Sequence, residues 1–222
     1  MGLDSTDDPL PRIHGGDITR WRRSLTVDHE LPAGGAGPDV PFGRVLGHRH
    51  TVREVRPASI DRVATLLWHA GRTRAASGGW QHRAAPSAGG LHPIDMIFVG
   101  LTPNPALYDP MRHVLSELEV LDAEAAAAAV RAASEVVPTA QGTLVFLVGD
   151  TARVLAAYEN PTSLIWRDAG CLIATVQITA AWLGLASVPL GILGGAFLKA
   201  LGLPQNLVGA GAFVLGEEVL QK

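Results

Sequence analysis

Cysteine is almost absent from this chain of 222 residues, which has a single one at position 171. One cysteine permits no intrachain disulfide and no multi-cysteine metal site. Charge is also scarce, because charged residues make up 18% and the net charge is −3. That balance indicates no excess of basic residues that would bind nucleic acid or an anionic membrane. The N-terminus lacks an apolar signal-like run, so we expect a cytoplasmic protein.

Only one stretch, from Ala169 to Leu198, is long and free of charged residues. Its length suffices for a bilayer span, but Pro189 and several glycines divide it into a helix of about 16 residues and a loop, whereas a span needs roughly 20. We interpret residues 169–186 as a helix buried in a core or a subunit interface, with a membrane span as the alternative. The apolar content of 47% favours an obligate oligomer.

Periodicity predicts an α+β fold. Residues 1–45 are rich in Gly, Pro and Asp and are predicted to be a flexible arm, ahead of one domain over 46–222. Helical spacing of apolar residues follows Ser59, and an alanine-rich helix follows Asp122; both residues can cap a helix N-terminus. Apolar runs predict strands over 94–100, 143–149 and 207–215.

The most informative motif is HRAAPSAGGLHPIDMIFVG, from His82 to Gly100. Its turn consists of Pro86, Ser87, Ala88, Gly89 and Gly90. Two glycines without a Cβ let the backbone approach a flat or charged ligand, and the following strand holds the turn rigidly. His92 is either a neighbour of that ligand or the residue that closes the turn before Pro93.

A second motif, Arg49-His50-Thr51-Val52-Arg53, precedes the Ser59 helix. In an extended segment Arg49, Thr51 and Arg53 point to one side, where two guanidinium groups around a hydroxyl suit a phosphate. The alternative is a solvated basic strand. His48 and His50 have the spacing of a metal pair, but no acidic or cysteine partner follows, so we predict no metal site.

A third motif, VPLGILGG over 188–195, follows the apolar helix. Its backbone N–H groups can reach the edge of a ligand, although loops that end helices often have this composition. Cys171 is predicted to be a small core residue rather than a redox thiol. Tyr158 is either a catalytic side chain or an amphipathic surface aromatic.

These motifs, in this order, resemble the nitroreductase superfamily of FMN-dependent oxidoreductases. RHTVR is similar to the family's RRSxR motif, and PSAGGLHP is similar to its PSxxNxQP motif. Residues 168–191 are similar to the family's DxG motif, AAxxLGL motif and flavin loop, which follow in that order. LGLP over 201–204 is also typical of the family. Within the superfamily, APSAGGLHPID and the segment YDP over 108–110, followed by His113, resemble the SagB-type dehydrogenases, which act on azoline-containing peptides.

The resemblance implies a nitroreductase-like α/β/α sandwich with a mainly antiparallel central sheet, in an intertwined homodimer with FMN at the interface. It further implies a set of roles by position. The phosphate and ribityl chain would be held by Arg49, His50, Thr51 and Arg53; the flavin ring would be lined by Pro86, Ser87, Ala88, Gly89, Gly90 and His92, and its N5 and O4 edge by the backbone of Pro189, Leu190 and Gly191. Tyr158 is the candidate catalytic residue.

The chain departs from the family pattern at three places. The loop's usual amide pair is replaced by Gly90 and His92. The Lys-Tyr pair of the azoline oxidases is Ala157-Tyr158 here, so the lysine is missing. The usual basic residue after the last strand is also absent, since two glutamates follow Gly216. Phosphate binding would therefore depend more on the N-terminal arginines.

Three functions remain open at this point. The leading hypothesis is an FMN-dependent dehydrogenase that moves a hydride between flavin N5 and a natural-product or modified-peptide substrate, with biosynthetic partner proteins. The second is an NAD(P)H-dependent reductase of nitro, quinone or enone compounds. The third is a catalytically silent scaffold subunit of the same fold, which the missing lysine and amide pair would explain.

Overall fold

The computed structural model describes residues 8–13, 21, 27–77 and 80–219. Within these residues the helices are α1 (Phe42–His48), α2 (Ile60–Ala70), α3 (Ala123–Glu135), α4 (Thr151–Ala157), α5 (Thr162–Trp182) and α6 (Gly195–Ala200). The strands are β1 (Leu10–Pro11), β2 (Asp28–Glu30), β3 (Val55–Arg56), β4 (Ala75–Ser77), β5 (Trp80–His82), β6 (Ile94–Val99), β7 (Ala106–Asp109), β8 (Val114–Glu117), β9 (Thr143–Asp150), β10 (Tyr158–Glu159), β11 (Ala186–Leu190) and β12 (Leu207–Glu218).

A central sheet organises the domain in the order β11-β12-β9-β6-β7-β8-β2, and each neighbouring pair is antiparallel. One face of the sheet packs against α2 and α5, and the other against α3 and α6. All eight residues of β9 are buried, because helices cover both faces of this central strand. The predicted α+β sandwich with a mainly antiparallel sheet is confirmed.

Local signals in the sequence place most of the elements correctly. The Ser59 hydroxyl accepts a hydrogen bond from the Arg62 N–H at 3.4 Å, and the Asp122 carboxylate accepts one from the Ala125 N–H at 2.9 Å. Both predicted helices therefore begin at their predicted caps. The three predicted strands are present as β6, β9 and β12. β12 continues three residues beyond the prediction, because Glu217 and Glu218 pair with β3.

The long apolar helix differs from its prediction. α5 begins at Thr162 rather than 169, because Arg167 is exposed and the buried Asp168 is hydrogen-bonded, so neither charge interrupts the helix. It ends at Trp182, where Gly184 adopts a left-handed φ of 65° and the Leu185 N–H bonds to the Ala180 carbonyl. Only one face of α5 is buried within the chain. No helix in the described ranges combines the length and apolarity of a membrane span.

The described parts of residues 1–45 contact the rest of the chain. β2 adds to the sheet beside β8, and β1 pairs with β10. Leu31 is buried in the core. α1 extends across residue 45, so the predicted boundary between arm and domain falls inside a helix. The flexibility of the arm and its boundary stay predictions.

Candidate functional site

The turn predicted to meet a ligand is a short, tightly bent loop. Ala88–Gly90 form a single 3-10 turn. Gly89, Gly90 and His92 have φ values of 58°, 64° and 48°. Left-handed backbone favours glycine because a Cβ would approach the following carbonyl, which explains the two glycines in this loop. We call residues 86–92 the PSAGG loop.

Asp168 anchors the PSAGG loop to α5. The Ser87 hydroxyl donates to one carboxylate oxygen of Asp168 at 2.6 Å, and the Ala88 N–H donates to the other at 3.1 Å. The Ser87 hydroxyl in turn accepts from the His92 N–H at 2.8 Å. Asp168 is itself buried, where charge-assisted hydrogen bonds are strong. Asp168 had no predicted role, because no local pattern in the sequence links it to Ser87; the DxG motif is the signal that marks this residue.

His92 closes the turn with its side chain directed into the protein. Its Nε2 donates to the Gln81 carbonyl at 2.8 Å, and its own carbonyl accepts from the Arg153 guanidinium at 2.8 Å. Burial lowers the pKa of His92 to about 4, and the positive charge of Arg83 adds to the effect. The imidazole is therefore neutral at physiological pH and is engaged in holding the turn.

Tyr158 belongs to the same cluster. A Cβ built on Gly89 would lie 2.8 Å from the Tyr158 hydroxyl oxygen, so this hydroxyl rests directly on the loop backbone. The ring is half-buried against the core. Tyr158, Asp168 and the PSAGG loop thus form one contiguous cluster, although the sequence separates them widely.

The arginine motif forms a second cluster. His50, Thr51 and Arg53 line a surface pocket of about 430 Å³ together with Glu218. Arg49 ends α1, at the start of the same segment. In the described part of the chain the guanidinium groups of Arg49 and Arg53 have neither a hydrogen bond nor an ion pair, so both cations are available to an anion.

The acidic residues beside this pocket differ in whether neighbouring arginines compensate their negative charge. Glu217 is paired with Arg56 and also with Arg62, the latter at 3.4 Å, so its charge is compensated. Glu54 and Glu218 are both exposed, and both line the pocket. The pocket therefore combines the Arg53 cation with two exposed carboxylates, and water screens their charge.

The third motif lies at the end of β11. Pro189 and Gly191 are exposed, whereas Leu190 is buried in the core. A Cβ on Gly191 would meet no atom within 4 Å, so open space adjoins its backbone. Proline has no N–H, which leaves the N–H groups of Leu190 and Gly191 as the donors of this segment.

The PSAGG loop and the arginine motif of the same chain lie far apart. The PSAGG loop leads into Ile94, which pairs with Gly149 of β9, and Gly149 pairs in turn with Val208 near the start of β12. The arginine motif leads into β3, which pairs with Glu217 near the end of β12. At the rise of a β-strand, Val208 and Glu217 are about 30 Å apart along β12. That distance exceeds the length of an FMN molecule.

α5 gives an independent measure of the same separation. Asp168 holds the PSAGG loop near the start of the helix. Leu183, just past its end, accepts a hydrogen bond from Arg62, which also pairs with Glu217 beside the arginine motif. At the helical rise these two positions are about 22 Å apart. The two clusters therefore lie at opposite ends of the molecule.

Comparison with known proteins gives a consistent result. Residues 46–217 match the model of the Nitroreductase family. A structure named as a nitroreductase from Ralstonia eutropha JMP134 is 20% identical, covers 96% of each chain and superposes with a TM-score of 0.71. A chain of the E. coli microcin synthetase McbBCD complex with truncated pro-MccB17 bound is 16% identical over 86% of this chain and 77% of its own, with a TM-score of 0.60. No curated protein matches the chain.

Proposed function

The chain belongs to the nitroreductase family of oxidoreductase enzymes, whose usual cofactor is FMN, and on that premise we propose that it is a dehydrogenase of a natural product or a modified peptide. The observation that carries the proposal is the Tyr158 hydroxyl lying against Gly89 in the PSAGG loop. Dehydrogenation removes a proton as well as a hydride, so it needs a proton-accepting group beside the flavin. When bound, FMN supplies the hydride acceptor at ring atom N5.

The residues present fit FMN. The unpaired guanidinium groups of Arg49 and Arg53 suit a phosphate, and the Thr51 hydroxyl in the same pocket suits the polar ribityl chain. The left-handed backbone of the PSAGG loop and the open space at Gly191 leave main chain accessible to a flat ring. His50 lines the phosphate pocket, and His92 would hold the loop rather than replace the missing amide.

A second copy of the chain would complete the site. Since the PSAGG loop and the arginine motif lie at opposite ends of one chain, we infer that each flavin is held by the arginines and Gly191 segment of one protomer and the loop of its partner. The half-buried face of α5, which includes Ile173 and Ile178, and the exposed Phe42 and Leu46 of α1 supply apolar surface for such a homodimer. Nitroreductases are usually homodimers.

Within that arrangement the chain's own residues have distinct tasks. Asp168 fixes the loop through Ser87 and Ala88, and the Leu190 and Gly191 N–H groups orient the ring edge. Tyr158, as its phenolate, would accept the substrate proton and become the neutral phenol, with no lysine beside it to assist. The E. coli microcin synthetase, a neighbour in fold, was solved with a peptide precursor bound, which supports a peptide as the substrate.

Turnover of a thiazoline-containing peptide by the FMN-loaded protein tests this function. We expect the peptide to lose two hydrogens by mass and to bleach the flavin. Tyr158→Phe should slow this conversion by roughly a hundredfold or more, the range of a lost general base, while the flavin spectrum is retained. Arg131→Ala, on the exposed face of α3, is the matched control.

The same assay separates the alternatives. If NAD(P)H bleaches the flavin and the thiazoline peptide is unaltered, the protein is the NAD(P)H-dependent reductase of small molecules. Another solved neighbour in fold is named as an NADH oxidase from Clostridium acetobutylicum (15% identity, 80% of this chain and 89% of that chain, TM-score 0.52). If FMN binds and neither reagent bleaches it, the scaffold hypothesis gains the support and the dehydrogenase proposal fails.

A further inference from the structure

The chain's own N-terminal arm forms a strand beside Tyr158. β1 and β10 make a separate two-stranded antiparallel sheet, in which Leu10 pairs with Glu159 and Pro11 with Tyr158. The Arg12 N–H extends the pairing by donating to the Ala157 carbonyl at 2.8 Å. β1 is thus an extended segment that already pairs with β10, the short strand to which the candidate catalytic residue Tyr158 belongs.

Little apolar contact holds this arm strand in place. Leu10 is 56% exposed and Ile13 is 93% exposed, so neither is an anchor. The Arg12–Glu159 ion pair spans 3.4 Å between side chains that are 38% and 56% exposed. Exposed ion pairs contribute little because solvent screens them and ordering two side chains is unfavourable. The arm strand can therefore be displaced by a competing segment.

An apolar groove begins next to the same strand. It has a volume of about 380 Å³, and its wall includes Val154, Leu155, Pro161, Ile165 and Trp166. The Leu155 carbonyl also accepts from Arg12 Nε at 3.0 Å, so the groove adjoins the arm strand. At the other side of this strand, the Tyr158 hydroxyl lies against Gly89 of the PSAGG loop. The β10 edge therefore lies between an apolar groove and the proposed flavin site.

We propose that the β10 edge, Tyr158–Glu159, is a docking edge for an extended substrate peptide, and that β1 occupies it until the peptide displaces it. The inference rests on the proposed function, since it names how a peptide reaches Tyr158. Strand addition supplies main-chain hydrogen bonds, and side pockets select the sequence. The Glu159 carboxylate selects a basic residue in the position of Arg12, and the groove takes an apolar side chain.

A peptide that copies the arm tests the docking edge directly. The probe is Asp-Pro-Leu-Pro-Arg-Ile, the sequence of residues 8–13, titrated into the ¹⁵N-labelled full chain while the Tyr158 and Glu159 amide signals are followed. Arg12→Ala weakens the tethered competitor, so this variant should bind the probe about fivefold more tightly than wild type. Arg131→Ala should bind it as wild type does.

Two changes test the charge selection. A probe with glutamate in place of its arginine should bind about fivefold more weakly, and adding Glu159→Gln to Arg12→Ala should weaken binding of the original probe. The proposal is overturned if Arg12→Ala binds no more tightly than wild type, if the shifted amides lie away from residues 157–159, or if the glutamate probe binds equally. The thiazoline-peptide assay, run on the same preparations, reports failure of the proposed function separately, because the titration requires no turnover.

Discussion

The Ser87 hydroxyl donates to the Asp168 carboxylate at 2.6 Å, although the two residues are 81 positions apart. This bond joins a glycine-rich loop to the second turn of the longest helix. The loop needs such an anchor because its left-handed residues are not stabilised by a regular ladder of hydrogen bonds. Asp168 therefore sets the shape of the surface that is proposed to meet the flavin.

Removal of this carboxylate should loosen the PSAGG loop. In Asp168→Ala the Ser87 hydroxyl and the Ala88 N–H lose their acceptor, so we expect a loss of about 1–3 kcal/mol in the free energy of unfolding. Urea denaturation measures it. FMN affinity should fall as well, whereas Asp122→Ala, which removes a helix cap at the other face, should reduce stability by about 1 kcal/mol and leave FMN affinity unchanged. Equal FMN loss in both variants would argue against a specific role for Asp168.

Mixing two defective variants tests whether the flavin site is shared between protomers. One variant is Arg49→Ala with Arg53→Ala, and the other is Ser87→Ala with Asp168→Ala; neither alone should retain FMN. Random pairing of mixed chains should restore about a quarter of the wild-type flavin content, because half of the dimers then have one intact site. Flavin absorbance after refolding the mixture together measures this. No recovery would mean that both clusters serve a site within one chain.

Gly89→Ala should perturb the loop and Tyr158 together. The added Cβ would lie 2.8 Å from the Tyr158 hydroxyl, at a φ of 58°. We expect a loss of roughly 1–2 kcal/mol from the left-handed backbone alone, and more from displacing the ring. Gly43→Ala is the matched control, because it lies in α1 with nothing within 4 Å and should be neutral or stabilising. Thermal unfolding of both variants makes the comparison.

Acid should destabilise the protein through His92. Its pKa is lowered from 6.5 in the unfolded chain to about 4 in the fold, chiefly by burial. Between these values the unfolded chain binds the extra proton, so stability is complete above pH 6.5 and declines as the pH falls toward 4. The decline should reach up to about 3 kcal/mol. His92→Gln should flatten it in urea titrations at several pH values; an unchanged slope would assign the acid sensitivity to other groups.

The three site motifs could be recognised from the sequence because each consists of consecutive residues. A turn with two glycines, a pair of arginines around a threonine, and a glycine-rich loop after an apolar helix each need only a few consecutive residues. The same holds for the caps Ser59 and Asp122, which bond to backbone three residues away. Order and spacing of these motifs then indicated the family, and the family model over 46–217 confirms it.

Long-range pairing decided the rest. Periodicity could not show that α5 begins at Thr162, because the buried charge of Asp168 is tolerated only through its bonds to Ser87 and Ala88. Nor could it show that β1 pairs with β10, since two-residue strands have no periodic signal. Local residue chemistry thus determined the motifs and the elements, while tertiary structure decided which motifs meet, because hydrogen bonds across distant positions form only when the whole sheet is assembled.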